Sequence, residues 1–474
     1  MAKWLIKKDI EEKFPTVVLN DKNEERAGGL VLGYENVRCR QKGKLPFSFE
    51  EKRVYVDGSD SHTLIIGSTG SKKSRLLVMP TVISLLKAGE NVIVSDPKKE
   101  IYNMTYDLAE KEGYKIITLD FREPKRSSRW NPFEVLGEAI KSQDRDRILK
   151  EVHNLAENFI VIPEGRDPFW MKASVEFLEN ILLINVIKGE ADLKSFMENV
   201  KSVEKFFSDY ELRKIYNLTE GIYNLVGYGV RPGRVKFLNN KFYFDRFDEF
   251  IRKWAMYPTN TRGSVFATMS SNLQIFKTND TLIENSAIPD FSYRDILGEE
   301  QKTIVYLIIP EENTAYEMMI KMFVEQSYSY LITQIQEKFG ARAPRRINYV
   351  LDEFANIPKI NGFEKNISIS RSRNIRFFLV VQDISQIAQR YGENNAYTIV
   401  GNCNNLAYLY CNDIKTNEFI HGKVRDKISY TSLTTLNSEN GEVMFLMGRR
   451  GEYIGFLEDI SCVMEMVNNS SCYM

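Results

Sequence analysis

Short apolar and β-branched runs alternate along this chain with longer stretches of helical periodicity. The runs are residues 63–66 (TLII), 92–95 (VIVS), 115–119 (KIITL), 303–309 (TIVYLII), 348–351 (NYVL), 377–381 (FFLVV) and 407–410 (AYLY). They are continuous rather than alternating, the pattern of strands buried on both faces, so the succession predicts βαβ units around a mostly parallel sheet. Between about residues 140 and 290 the strand signal fades and charged, helix-periodic sequence takes over. There, residues 175–187 (VEFLENILLINVI) form an apolar helix broken by Glu176, Glu179, Asn180 and Asn185, as suits packing inside a soluble domain. The one extended-looking piece is 234–245 (RVKFLNNKFYFD), with a hairpin turn expected at Asn239–Asn240. The expected organisation is an N-terminal segment 1–50, polar and without assignable elements, and a nucleotide-binding domain in two parts, 51–140 and 291–474. An all-α insertion at 141–290 separates the two parts.

Composition narrows the partners. The chain has 474 residues, and its 64 Lys+Arg balance 64 Asp+Glu, so no overall charge attracts nucleic acid or membrane. A polyanion would have to be held by the local basic patches REPKRSSR (122–129), RAPRR (342–346) or RSRNIR (371–376), which otherwise read as solvated surface. Cys39, Cys403, Cys411, Cys462 and Cys472 lack metal-binding or disulfide spacing, which points to a reducing cytoplasm. His62, His153 and His421 form no ligand pattern and are expected to be structural. No run of about 18 apolar residues occurs, and the N-terminal apolar run is too short for a signal peptide. The protein is therefore expected in the cytoplasm or peripheral at the inner face of the cell membrane, with membrane contact only through a partner.

The strand at 63–66 leads into Gly67-Ser68-Thr69-Gly70-Ser71-Lys72-Lys73-Ser74-Arg75, and then into a helix whose Leu76, Leu77, Val78, Val82, Ile83 and Leu86 suit a buried face. Strand, glycine-bearing turn and helix stand in the order that lets backbone N–H groups cradle phosphate oxygens. In that arrangement Lys73 reaches the β- and γ-phosphates and Ser74 ligates Mg²⁺. Lys72 occupies the slot where the phosphate-loop pattern has its second glycine. It either bears strain, if the position needs a positive φ, or adds a cation near the phosphates. A second acidic signal supports the first. INYVLDE at 347–353 is an apolar strand ending in Asp352, a candidate Mg²⁺ ligand, and Glu353, a candidate base for the attacking water. The next strand ends at Gln382, placed to orient water or sense the γ-phosphate. Arg371 and Arg373 lie between these strands, where an arginine could reach a neighbouring subunit's nucleotide.

With these elements in place, the chain resembles the coupling-protein ATPases of type IV secretion and bacterial conjugation, the TraG/TraD-like family. The carriers are GSTGSKKSR (67–75), DPKKE (96–100), WNPF (130–133), DPFW (167–170), LDEFANIP (351–358), RSRNIRFFLVVQDISQI (371–387) and Tyr391-Gly392. The resemblance implies a RecA-like P-loop NTPase domain with an all-α insertion, and a homo-hexameric ring binding ATP and Mg²⁺ between subunits. It also implies recruitment of relaxase-bound single-stranded DNA or protein to a membrane-spanning secretion channel. By motif position it assigns Lys73 and Ser74 to phosphate and Mg²⁺, Asp352 and Glu353 to Mg²⁺ and hydrolysis, and Gln382 to sensing. Arg371 becomes a finger acting in trans, and Asp96 a shaper of the site. Three departures stand out: Lys72 for the turn glycine, Lys99 in DPKKE where DPKGE is usual, and Asn374 where a glycine commonly precedes the strand. The N-terminal membrane anchor that many family members use is absent as well, so either a partner is expected to supply the tether or the chain is a soluble branch of the family. Two other readings are a nucleotide-binding adaptor with weak hydrolysis and a double-stranded DNA translocase.

Overall fold

The computed structural model describes residues 14, 16–18, 28–40, 48–160, 169–213, 241–309, 316–424 and 427–461, with 16–18, 36–40, 48–52 and 208–213 described by backbone alone. The fold divides into two compact units. The first comprises Met1–Arg122, Tyr293–Glu312 and Leu331–Met474, and the second Glu123–Ser292 and Asn313–Tyr330.

The first unit holds every strand found among the described residues. In chain order these are β1 (Thr16–Val18), β2 (Leu30–Arg40), β3 (Ser48–Asp57), β4 (Thr63–Ile66), β5 (Asn91–Ser95), β6 (Lys115–Asp120), β7 (Thr303–Ile308), β8 (Ile347–Leu351), β9 (Ile375–Val381), β10 (Asn405–Tyr408), β11 (Glu442–Met447) and β12 (Glu452–Phe456). A nine-stranded sheet runs β12-β11-β10-β4-β9-β8-β5-β7-β6. From β10 to β6 all neighbours are parallel, and β11 and β12 close one edge antiparallel. The α/β class and the mostly parallel sheet expected from the apolar runs are therefore borne out, and each of the seven runs overlaps a strand, the last only at Ala407 and Tyr408.

Helix 74–87 follows β4 and lies against the sheet. Leu76, Leu77, Val78, Val82, Ile83 and Leu86 are all buried, as their spacing predicts. Its other side is covered by β2, which belongs to a three-stranded sheet of order β1-β3-β2. There the Ser84 hydroxyl accepts from Gly29 N–H at 3.2 Å and donates to Gly29 O at 2.7 Å, and Thr81 Oγ1 accepts from Val31 N–H at 3.3 Å. Polar residues inside an apolar helix thus satisfy an adjoining strand end. The first turn, Ser74–Val78, is a wide π turn in which Met79 N–H reaches back to Ser74 O. Pro80 follows and has no N–H to give to the preceding turn, which favours such an irregularity.

Two of the three basic patches are only partly solvated surface: Arg371 and Arg342 are exposed, but other cations turn inward. Arg376, 1% exposed, donates to Glu90 Oε2 at 2.6 Å, Asn348 Oδ1 at 2.8 Å, Ser59 O at 2.8 Å and Gly28 O at 3.1 Å. Arg346 binds Asp60 at 2.5 Å, and Arg342 binds the same carboxylate at 3.0 Å. These cations tie the amino ends of β5, β8 and β9 together, so they are committed to the chain's own acids. The remaining patch also carries internal partners, Arg126 with Glu123 and Arg129 with Asp290.

The second unit is helical. Phe133, Phe159 and Phe196 pack together, with Phe159 stacked on Phe196 at 4.9 Å, while Trp130 of the WNPF motif meets Phe323 edge-on at 5.4 Å. The extended reading of 234–245 is corrected over its described part. Lys241–Ala255 is a helix burying Tyr243, Phe244, Phe247, Phe250, Ile251 and Trp254. Their spacing follows the 3.6-residue period, which outweighs the aromatic, strand-like composition. Asn239–Asn240 lies outside the described residues. Among the described residues no helix is long and apolar enough to cross a membrane.

Candidate functional site

In a parallel sheet the carboxyl ends of the strands form the open edge where ligands gather. At that edge β4 ends in a turn held by its neighbours: Gly67 N–H donates to Val381 O at 3.2 Å, and Ser68 N–H to Tyr410 O at 2.6 Å. Ser68 Oγ accepts from Asn412 N–H at 3.1 Å, and Ser71 N–H returns to Ser68 O at 3.1 Å. The turn needs its glycines for different reasons. A Cβ on Gly67 would stand 2.5 Å from Ser71 Oγ and 3.2 Å from Lys73 Cγ, whereas Gly70 has open space but φ +84°. Thr69 and Gly70 are exposed at the tip.

Lys73 folds back into the turn. It is 7% exposed and its ammonium donates to Gly67 O at 2.5 Å and Ser68 O at 3.4 Å. Burial pulls its pKa below the usual lysine value, against the pull of Glu353 and Asp352. Ser74 Oγ donates to Asp352 Oδ2 at 3.2 Å, joining positions 278 residues apart. Asp352 follows the fully buried β8, and its main-chain O is fixed by Ser95 Oγ at 2.9 Å. Burial, with Glu353 and Asp96 nearby, pushes the Asp352 carboxyl up to about 7 despite Lys73. Glu353 sits in the left-handed region at φ 51°, which swings its side chain to Gln382, whose amide donates to Glu353 Oε2 at 3.4 Å. Asp96 caps the helix Glu100–Lys111 by accepting Tyr102 N–H at 2.7 Å, and burial raises it to about 6.

Lys73, Ser74, Asp352, Glu353, Gln382 and Asp96 are thus brought to one place. Two predicted binding residues turn elsewhere. Lys72 has φ 61° and donates its ammonium to Glu439 O at 3.2 Å, and Arg75 binds Asp459 through Nε at 2.8 Å and Nη2 at 2.5 Å. Arg371 is exposed before the amino end of β9, at the opposite end of that strand from Gln382, so it does not join this cluster in its own chain. Ser95 and Asn412 were not singled out from sequence. Their roles depend on which strands become neighbours, and their only signal was a place just at or past the carboxyl end of a strand.

The donor set suits a magnesium-bound triphosphate. A hydroxyl and a carboxylate, both hard oxygen ligands, adjoin a buried ammonium, and Ser71 Oγ is buried in the turn with no partner of its own. Such an orphaned hydroxyl inside a glycine-bearing turn is what an anion would satisfy.

Comparison with known proteins places the chain in a family. A family model described as type IV secretory system conjugative DNA transfer matches residues 18–426. A conjugal transfer protein TraG of Escherichia coli is 23% identical over 426 residues, covering 85% of this chain and 60% of its own. The protein VirD4 of Rhizobium rhizogenes is 22% identical over 401 residues, covering 84% and 54%. The chain therefore spans somewhat more than half the length of these relatives. Among solved structures, the conjugative coupling protein TrwBΔN70 with sulphate superposes with TM-score 0.59 at 15% identity, covering 96% of this chain and 93% of that one. The plasmid coupling protein TrwB with ADP and Mg²⁺ gives 0.55 at 17% identity, covering 84% and 85%. These structures share the fold.

Proposed function

Because the chain belongs to the type IV secretory system conjugative DNA transfer family, we propose that it is an ATP-hydrolysing coupling protein. It hands single-stranded DNA, a relaxase–DNA complex or protein cargo to a secretion channel. The observation that carries this reading is the meeting of Ser74 and Asp352 at 3.2 Å beside the buried Lys73 ammonium. Gly67, Ser68, Thr69, Gly70 and Ser71 wrap the phosphates. The Gly67, Ser68 and Ser71 amides stay on protein carbonyls and hold the turn in shape, while Thr69 and Gly70 turn backbone N–H groups to the phosphates and Ser71 Oγ adds a donor. Lys73 leaves its carbonyl partners for the β- and γ-phosphate oxygens, while Ser74 and Asp352 hold Mg²⁺. Bound Mg²⁺ supplies neutralisation of charge on the phosphoryl oxygens. Glu353 accepts the proton of the attacking water, and Gln382, hydrogen-bonded to that carboxylate, orients it. TrwB, of the same fold, is known in complex with ADP and Mg²⁺.

Of the expected nucleotide-binding parts 51–140 and 291–474 we assign nucleotide binding to the residues of the first unit. An insertion role falls to 141–290 together with 123–140 and 313–330, which belong to the second unit. The active form is a homo-hexamer in which Arg371 acts on the neighbouring subunit's nucleotide, which accounts for its distance from its own Gln382. The protein works at the inner face of the cell membrane, where its cargo is handed over. A weakly hydrolysing adaptor is the second reading, favoured by Lys72, whose side chain leaves a strained turn for Glu439 O.

Steady-state ATP hydrolysis, with and without single-stranded DNA, tests the proposal. Glu353→Gln is expected to lower kcat at least about 100-fold while nucleotide still binds, and Lys73→Ala to lose binding. Wild-type turnover in Glu353→Gln would contradict the motor, and wild-type binding without any turnover would select the adaptor.

A further inference from the structure

The two cations that flank Lys73 and Ser74 both leave the phosphate turn for one stretch of chain. Lys72 Nζ reaches Glu439 O at 3.2 Å. Arg75 makes a bidentate pair with Asp459, at 2.8 and 2.5 Å, and adds Ser461 Oγ at 2.8 Å. The receiving stretch is itself fixed. Gly441, at φ +82°, would place a Cβ 2.1 Å from Leu457 O, and Leu457 N–H donates to Gly441 O at 2.8 Å. Leu457 and Ile460 are buried in the same core as Leu76 and Leu77 of the helix that carries Ser74. Asp459 is further oriented by Ser461 N–H at 3.0 Å.

We propose that Arg75 and Asp459 are positioning residues, the pair bracing the first helical turn so that Lys73 and Ser74 stay aimed at the nucleotide. The inference rests on the nucleotide reading and goes beyond it. It takes Arg75 out of direct phosphate contact and gives the segment from Glu439 to Ser461 a part in the site. The brace is needed here because the turn is locally strained. Lys72 is left-handed where glycine is at ease, and Ser74 opens a π turn with irregular backbone bonding. The pair is partly exposed, 44% at Arg75 and 32% at Asp459, so its effect on affinity is moderate.

The test uses the full chain with two readouts. Affinity for a fluorescent non-hydrolysable ATP analogue with Mg²⁺ is expected to fall about fivefold in both Arg75→Ala and Asp459→Ala, and no further in the double variant. The exchanged pair Arg75→Asp with Asp459→Arg should regain most of the loss. Lys338→Ala breaks a bridge of similar exposure to Glu299 and should change nothing. Amide hydrogen exchange without nucleotide should quicken at residues 68–74 in the two single variants and not in Lys338→Ala. Loss of affinity in Arg75→Ala alone would overturn the proposal by making Arg75 a direct ligand, and unchanged affinity and exchange in both would overturn it outright. An equal loss in Lys338→Ala would overturn it too, as general loosening. Faster exchange with no analogue bound by the wild type would keep the brace and reject the nucleotide reading.

Discussion

A buried ammonium and a buried carboxyl are costly in a folded chain unless something offsets their desolvation. Lys73 is held below its ordinary pKa and Asp352 is raised to about 7, so both are in environments that a polyanion and a cation would relieve. The three positions where glycine would be usual share one backbone feature: Lys72, Lys99 and Asn374 have φ of 61°, 61° and 66°. Each is anchored by its own side chain. Lys72 holds Glu439 O, Lys99 holds Asp120 at 2.6 Å, and Asn374 Nδ2 holds Ala343 O at 2.9 Å. Position in the motif was readable from sequence, but these anchors were not, because each partner lies at least 21 positions away. His62, read as structural, is buried and neutral, its Nδ1 accepting Phe377 N–H at 3.0 Å and its Nε2 donating to Ile367 O at 2.9 Å. Burial pushes its pKa down to about 4 from 6.5. Between those values the unfolded chain binds a proton that the folded chain refuses. His62 therefore withdraws stability as pH falls from about 6.5 toward about 4, by up to about 3 kcal/mol. The raised carboxyls Asp96 and Asp352 act with the opposite sign over this range, since there the folded state holds the extra protons. Denaturant titrations at pH 7.5, 6 and 5 should show the gap between wild type and His62→Gln narrowing as pH falls, and a constant gap would refute the assignment.

At the scale of elements, the parallel strands were legible because burial on both faces makes them continuous apolar runs. β11 and β12 were missed. EVMFLM mixes Met, Leu and Phe, which suit helix and strand alike, and too few residues remain for a period to decide. β2 and β3 were missed for another reason. They pair antiparallel from Leu30↔Asp57 to Arg40↔Ser48, and their mixed polar sequence carries no long apolar run. Charge was the least legible feature, because a basic run in sequence says nothing of the acids that fold against it. Glu90 receives Arg376 at 2.6 Å across 286 positions. Removing one partner of a buried pair strands the other, so Arg376→Met is expected to cost about 3 kcal/mol in urea unfolding. Arg126→Ala, whose pair with Glu123 is 83% and 52% exposed, should leave the midpoint unchanged. Equal effects of the two substitutions would mean that the network at the amino ends of the strands contributes no more than surface charge.

For the whole molecule, the phosphate turn and the acidic strand end lie far apart in sequence yet meet because β4, β9, β8 and β5 are consecutive neighbours in one sheet. That order sets Ser74 against Asp352, and every role proposed for the site depends on their sharing one cation. Calorimetric titration of the wild-type chain with a non-hydrolysable ATP analogue, with and without Mg²⁺, tests this most directly. Mg²⁺ is predicted to tighten binding about tenfold or more, a gain of about 1.4 kcal/mol, and Ser74→Ala and Asp352→Asn are each predicted to remove that gain. Binding of the same strength without Mg²⁺, or a full Mg²⁺ effect retained in Asp352→Asn, would contradict it.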